Sequence, residues 1–201
     1  MSIVVEHEKR RYEILEKALD VFIDEGFSNV TYQKIADRCG ITRTTLYTYF
    51  KNKRDIFNFC MKQFLQALEA NITAILQTES LSYAEKLTGV MLVIIERIEE
   101  KRLLLSVVMD FLFHTSKGGY DADYRVRRRT IRLRHILTKM LIEGINSGEF
   151  KASLDVKHTN ELLNGLLEAA IFRVVVLRRT AIDDLKDAAR QAVRCLVAGV
   201  E

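Results

Sequence analysis

Proline and tryptophan are absent from the 201 residues, and glycine occurs only nine times. With no proline to fix φ and so few turn formers, a β-rich fold built from many hairpins is excluded. Leu, Ile, Ala, Glu, Lys and Arg fill most of the remaining positions. These residues lose little side-chain freedom in a helix, so the sequence predicts an all-α chain of long helices with short connections. Cysteine is scarce too: Cys39, Cys60 and Cys195 show neither metal-ligand nor redox spacing. Each sits in an apolar helical pattern, which predicts reduced, packed thiols and suits a cytoplasmic protein. Long apolar runs are missing as well, since stretches such as Leu103–Met109 are far too short to cross a bilayer. The charged segment Met1 to Arg11 lacks the apolar centre of a signal peptide, so no membrane partner is expected.

Catalytic signatures are also wanting. No phosphate-cradling glycine loop, metal-ligand pair or nucleophile arrangement is present, and His7, His114, His135 and His158 are scattered. The expectation is a protein that is not an enzyme and holds no metal and no cofactor.

What is present is a hydrophobic fraction of 48%, ample for buried cores, and a net charge of +4 whose distribution matters more than its total. Between residues 26 and 60 the bases Lys34, Arg38, Arg43, Lys51, Lys53 and Arg54 face only two acids, Asp37 and Asp55. A second basic run holds Arg125, Arg127, Arg128, Arg129, Arg132, Arg134 and Lys139 with no acid among them. Its arginines flank the inward stripe Val126, Leu133, Leu137 and Met140, so a solvated face is the simplest expectation; an anionic acyl-CoA-like effector or a protein or DNA contact are the alternatives.

Apolar residues recur at three- and four-residue spacing from Glu8 to Glu25 (Ile14, Leu15, Ala18, Leu19, Phe22 and Ile23), and Gly26 stops that helix. Thr31 caps a short second helix facing inward through Ile35, Ala36 and Cys39; Lys34 occupies the position a reciprocal capping box would give to an acid. After Cys39-Gly40-Ile41, Thr42 caps a third helix to about Phe50, and Asn52 caps a fourth to about Gln77. Further helices are predicted over 82–100, 102–115, 121–146, 156–179 and 183–199, about nine in total, separated by glycine- and serine-bearing breaks. Two short helices joined by a tight glycine turn form a helix-turn-helix.

The residues Phe22, Gly26, Phe27, Thr31, Ile35, Ala36, Gly40, Ile41, Thr42, Thr45, Leu46, Tyr47, Thr48, Tyr49, Phe50, Lys53, Ile56 and Phe57 stand in fixed order and spacing. In this stretch the chain resembles the TetR family of transcriptional regulators. The resemblance implies an N-terminal three-helix DNA-binding domain over 1–51 and an effector-binding and dimerisation domain over 52–201. It implies a homodimeric, ligand-responsive regulator, a repressor released from a palindromic operator by a small molecule; a DNA-binding adaptor controlled by a protein partner is the alternative. Phosphate roles fall by resemblance on Thr31, Tyr47, Tyr49 and Lys53, with Tyr32 and Gln33 as additions. The physics of the third helix agrees: Arg43 can pair with guanine O6 and N7, and Thr44 or Thr48 can meet a thymine methyl group or a base edge. Thr42 and Thr45 complete the candidate set on double-stranded DNA. Thr44 departs from the family pattern, which has a small residue there, often glycine. Each of these residues could instead be a cap, a turn residue or part of a solvated face.

In the C-terminal part the resemblance places a cavity and a four-helix dimer interface. Phe64, Leu68, Met91, Ile95, Met109, Phe113, Asn164, Glu168 and Phe172 are the candidates for an effector pocket. Leu162, Leu163, Leu166, Ala170, Val174, Leu185, Ala189, Ala192 and Leu196 form the candidate interface. Packing within one chain competes for the same apolar residues.

Overall fold

A computed structural model describes residues 2–116, 122–179 and 181–199, and nine α-helices run through these described residues; the side chains of 2–4, 113–116 and 122–130 lie outside that description. The helices are α1 (Ser2–Asn29), α2 (Tyr32–Cys39), α3 (Arg43–Tyr49), α4 (Lys53–Gln77), α5 (Tyr83–Glu100), α6 (Arg102–Ser116), α7 (Ala122–Asn146), α8 (Val156–Ile171) and α9 (Asp183–Arg194). Among the described residues the only extended pairing is a bridge between Phe150 and Val197.

Local chemistry sets the helix ends. Thr31, Thr42, Asn52, Ser82 and Asp155 each accept a hydrogen bond from a backbone N–H in the first turn of the helix they precede. Ser82 and Glu85 complete a reciprocal capping box, and the Glu149 carboxylate takes the N–H groups of Tyr83 and Ala84, each at 2.8 Å. Gly26 breaks the α1 geometry with φ 74°, as its sequence position predicts.

Three ends differ from the sequence expectation. α1 starts at Ser2 because nothing between there and Glu8 breaks a helix, although no apolar period marks the segment. α8 passes into a π-helical turn at Phe172–Val176, and Arg178 adopts φ 52°, so the predicted straight run to Arg179 is interrupted. α9 stops at Arg194 because Lys151 N–H binds the Leu196 carbonyl and Ala198 N–H binds the Glu149 carbonyl, diverting the chain from helix to pairing.

Two cores organise the molecule. In the head, Ile14, Phe22 and neighbours on α1 pack with Ile35 of α2, Leu46 of α3, Phe50, and Ile56, Phe57 and Cys60 of α4; Val107 of α6 joins them. In the body, Met91 and Ile95 of α5 meet Leu137 of α7, Leu163 and Ala170 of α8, and Leu185 and Ala189 of α9. α1 packs along α6, so the head rests on the body. Among the described residues no helix is long and apolar enough to cross a membrane.

The thiols divide differently from the sequence reading. Cys39 and Cys60 are buried, whereas Cys195 is exposed. Burial pushes the Cys60 thiol up to about 12 and raises Cys39 as well. In the native protein a disulfide-exchange reagent is therefore expected to titrate Cys195 rapidly and the other two only on unfolding; rapid reaction of all three would contradict this packing.

Much of the candidate dimer face turns inward. Leu163, Ala170 and Ala189 are fully buried, and Val174, Leu185 and Leu196 nearly so, all in the body core of their own chain. A side chain with no accessible surface has none to give a partner. Leu162 stays exposed and Leu166 and Ala192 are half-buried, while the outer face of α8 continues through exposed Phe172, Val176 and Leu177.

Candidate nucleic-acid interface

The turn that aims α3 depends on Gly40, whose φ of 66° is left-handed. Gly40 N–H then reaches the Asp37 carbonyl at 3.0 Å and Ile41 N–H the Ala36 carbonyl at 3.1 Å, closing α2. Thr42 re-enters helix as a cap, its Oγ1 accepting Thr45 N–H at 3.1 Å. Seven residues are too few for a helix to persist alone, so α3 depends on its anchor Leu46, which has no exposed surface. Emptying that site would cost about 2–5 kcal/mol.

With Leu46 and Phe50 turned inward, Arg43, Thr44, Thr45, Tyr47 and Thr48 are left exposed together on the outer face. Arg43 Nη2 donates to Tyr47 Oη at 3.1 Å. The Tyr47 ring in turn lies against the Tyr32 ring, centroids 4.6 Å apart. Thr42 and Thr45 hydroxyls are 2.8 Å apart, and Thr48 Oγ1 donates to the Thr45 carbonyl at 2.7 Å. Thr44 makes no side-chain hydrogen bond among the described residues, so its hydroxyl is available. A shallow depression bounded by Gln33, Asp37, Gly40, Thr42, Arg43 and Thr45 lies between α2 and α3. Gln33 is tied there to Asp37 at 2.8 Å. Exposed Thr31 caps α2 through Lys34 N–H at 3.3 Å, and half-buried Tyr49 stacks on His7 at 4.6 Å.

Two residues assigned to phosphate take structural roles instead. Lys53 Nζ donates to the carbonyls of Phe27 at 2.9 Å, Ser28 at 3.2 Å and Val30 at 2.8 Å. All three ammonium protons are thereby used, and burial lowers its pKa. A lysine at the start of α4 opposes that helix dipole, and the carbonyl dipoles at the end of α1 and in the following turn offset the cost. Tyr32 is likewise buried, donating its hydroxyl to the Phe50 carbonyl at 2.6 Å, and burial pushes that hydroxyl up to about 12. Its ring serves as the platform under Tyr47.

The basic tract is also more neutral than its sequence. Lys34 pairs with Glu25, and Arg38 pairs with Asp24 at 2.9 Å, acids that α1 brings alongside α2. Arg43 and Lys51 remain exposed with no ion pair among the described residues.

Sequence reasoning missed Asp110. Its Oδ2 on α6 accepts Ser28 N–H at 3.3 Å, lies 3.2 Å from where a Cβ at Gly26 would stand, and its charge favours protonated Lys53. Next to it, the Phe111 ring packs 4.7 Å from both Phe27 and Phe57. Body and head thus meet at the α1–α2 turn. The available signal was a lone acid following an apolar run on α6.

Among the described residues the effector-pocket candidates fall in different surroundings. Met91 and Ile95 are fully buried core residues, and Leu68 packs against the same cluster. Asn164 is buried with its amide on Asn160, whose own amide reaches the Arg134 carbonyl at 2.8 Å. Met109 is half-buried, Glu168 and Phe172 face outward, and the Phe113 side chain lies outside the described residues. Phe64 lines a different space, between head and body. Of the second basic run, Arg132 pairs with Glu69 at 3.0 Å and Arg134 with Glu161; the side chains of Arg125, Arg127, Arg128 and Arg129 lie outside the described residues.

A tight-turned helix pair with its second helix exposed, on a large helical body, defines a DNA-binding regulator. The family model for bacterial regulatory proteins of the TetR family matches residues 14–59. The KstR2 transcriptional repressor of Mycolicibacterium smegmatis is 33% identical over 147 residues, covering 73% of this chain and 70% of that protein. The fatty acid metabolism regulator protein of Bacillus subtilis is 28% identical over 167 residues, 79% of this chain and 80% of its own length. A solved structure of the Bacillus subtilis regulator FadR in complex with stearoyl-CoA superposes with a TM-score of 0.66 at 26% identity, covering 94% of this chain and 99% of that one. The chain belongs to the TetR family of bacterial regulatory proteins, a family of regulators, and is a ligand-responsive DNA-binding transcriptional repressor.

Proposed function

We propose that the protein acts as a homodimer on a palindromic operator and is released by a long-chain acyl-CoA thioester, with residues 1–51 as the DNA-binding unit and 52–201 as the effector and dimerisation unit. The effector class rests on one observation above the others: the likeness, over nearly all of both chains, to a regulator bound to stearoyl-CoA. A fatty acid metabolism regulator among the curated relatives supports the same class.

Dimerisation is supported by exposed Leu162 on α8 and exposed Phe172 and Val176 on the π-helical turn that follows it, apolar side chains that a second copy would cover. A seven-residue recognition helix buries too little surface to select a genomic site alone, whereas two heads read half-sites related by a two-fold axis. Effector binding then acts by favouring a head separation that no longer fits the operator.

Purified protein would be used to select genomic fragments, and the bound sites footprinted with and without stearoyl-CoA. Two symmetric half-sites are expected, with operator affinity falling by about tenfold or more at saturating stearoyl-CoA, a coupling in the usual range for allosteric effectors. Free CoA and stearate should leave the complex intact. A single asymmetric footprint would refute the dimer reading, and an unaffected complex would refute the acyl-CoA reading.

A further inference from the structure

The exposed side chains of α2 divide between two sides of that helix, in pairs one turn apart. Lys34 and Arg38 turn to α1, where Lys34 pairs with Glu25 and Arg38 with Asp24 at 2.9 Å. Gln33 and Asp37 turn the other way and share the shallow depression with Thr42, Arg43 and Thr45 at the start of α3. Both cations of α2 are thus held by acids of α1, and what α2 brings beside α3 is a carboxylate.

That carboxylate keeps its charge to itself. Asp37 Oδ1 accepts the Gln33 amide at 2.8 Å, and Asp37 has no ion pair among the described residues. Arg43, the one cation bounding the depression, donates instead to Tyr47 Oη at 3.1 Å. An exposed carboxylate on a surface that meets DNA costs binding energy wherever a phosphate comes near it. The cost depends on how the duplex lies. With the N-terminal end of α3 directed at base edges, the depression opens on the groove, where a carboxylate can accept from an exocyclic amino group such as cytosine N4. On unrelated sequence the head is held by phosphate contacts alone, and nothing keeps a phosphate from lying across Asp37.

We propose that Asp37 is a specificity-determining residue of the DNA face, whose unpaired negative charge weakens binding to unrelated DNA more than binding to the operator. Selectivity is a difference of affinities, so repelling the wrong arrangement counts as much as attracting the right one. Gln33 belongs to the same device, because its amide fixes the carboxylate at the edge of the depression. The inference needs α3 in the groove and is independent of the effector and of the dimer.

Asp37→Asn removes the charge and keeps an acceptor for the Gln33 amide. Asp20→Asn is the control: Asp20 is exposed on α1 one turn before Asp24, on the far side of α2, and its loss changes the net charge equally. Full-length proteins are titrated at low salt against two duplexes of equal length, the sequence most enriched from a random pool by the wild-type protein and a permutation of it, with anisotropy as the readout. Asp37→Asn is expected to bind the permuted duplex about threefold tighter, the usual scale for one exposed charge interaction, and the enriched duplex no tighter than wild type. The ratio of the two affinities should therefore fall about threefold, with Asp20→Asn holding the wild-type ratio and Asp37→Glu, which keeps the charge, staying above Asp37→Asn. An unchanged ratio in Asp37→Asn, an equal fall in Asp20→Asn, or a fall in Asp37→Glu as deep as in Asp37→Asn would overturn the proposal alone. Failure of the wild-type protein to enrich any sequence would overturn it together with the placement of α3 in the groove.

Discussion

Lys53→Met is expected to destabilise the protein by about 2–4 kcal/mol, because three carbonyls beneath the α1–α2 turn lose one charged donor together. For a chain of this length that corresponds to a fall in melting temperature of roughly 5–15 °C. The same measurement separates two roles for this lysine. A phosphate contact, when removed, lowers operator affinity and reduces the slope of log K against log salt by about 0.9 while leaving stability alone. Here the stability should fall and the slope, measured below the melting transition, should stay. Lys53→Arg should not restore the lost stability, since a planar guanidinium cannot direct three donors to three carbonyls around a point. A variant as stable as the wild type with a shallower salt slope would return Lys53 to the phosphate backbone.

Tyr47→Ala is expected to lower operator affinity by about 100-fold or more with the helical content and oligomeric state retained, since it removes the proposed phosphate contact and the partner that orients Arg43. Tyr47 is 49% exposed and its loss opens no core, so a folding defect is not the cause. Arg43→Ala should act more narrowly. Losing one bidentate base contact costs about 1–3 kcal/mol and relaxes preference at a single base pair. Tyr47→Phe keeps the ring on Tyr32 and loses only the hydroxyl, so its effect should lie between wild type and Tyr47→Ala. Operator affinity unchanged in Tyr47→Ala, read by fluorescence anisotropy, would mean that α3 is not the helix that enters the groove.

The helix-turn-helix was readable because its signals are local. Thr31, Gly40 and Thr42 act within three or four residues of themselves, and the apolar positions Ile35, Ala36, Cys39 and Leu46 follow the helical period. Charge was less readable. The acids that neutralise Lys34 and Arg38 sit on α1, nine and fourteen residues away in sequence, so a count over 26–60 could not include them. In the body, an apolar stripe on α8 or α9 announces burial but not what lies opposite it. Leu163 and Ala189 face their own chain, and Leu162 faces away from it; the three look alike in sequence.

By itself the sequence determined the helical class, the order of the helices and the position of the helix-turn-helix, because capping, periodicity and turn formation depend on neighbours along the chain. Tertiary structure alone decided that Lys53 closes the end of α1, that Tyr32 supports Tyr47, that Asp110 joins body to head, and that Asp37 stands beside the start of α3. Each of these joins groups on different helices, and only packing fixes which helix faces stand opposite one another.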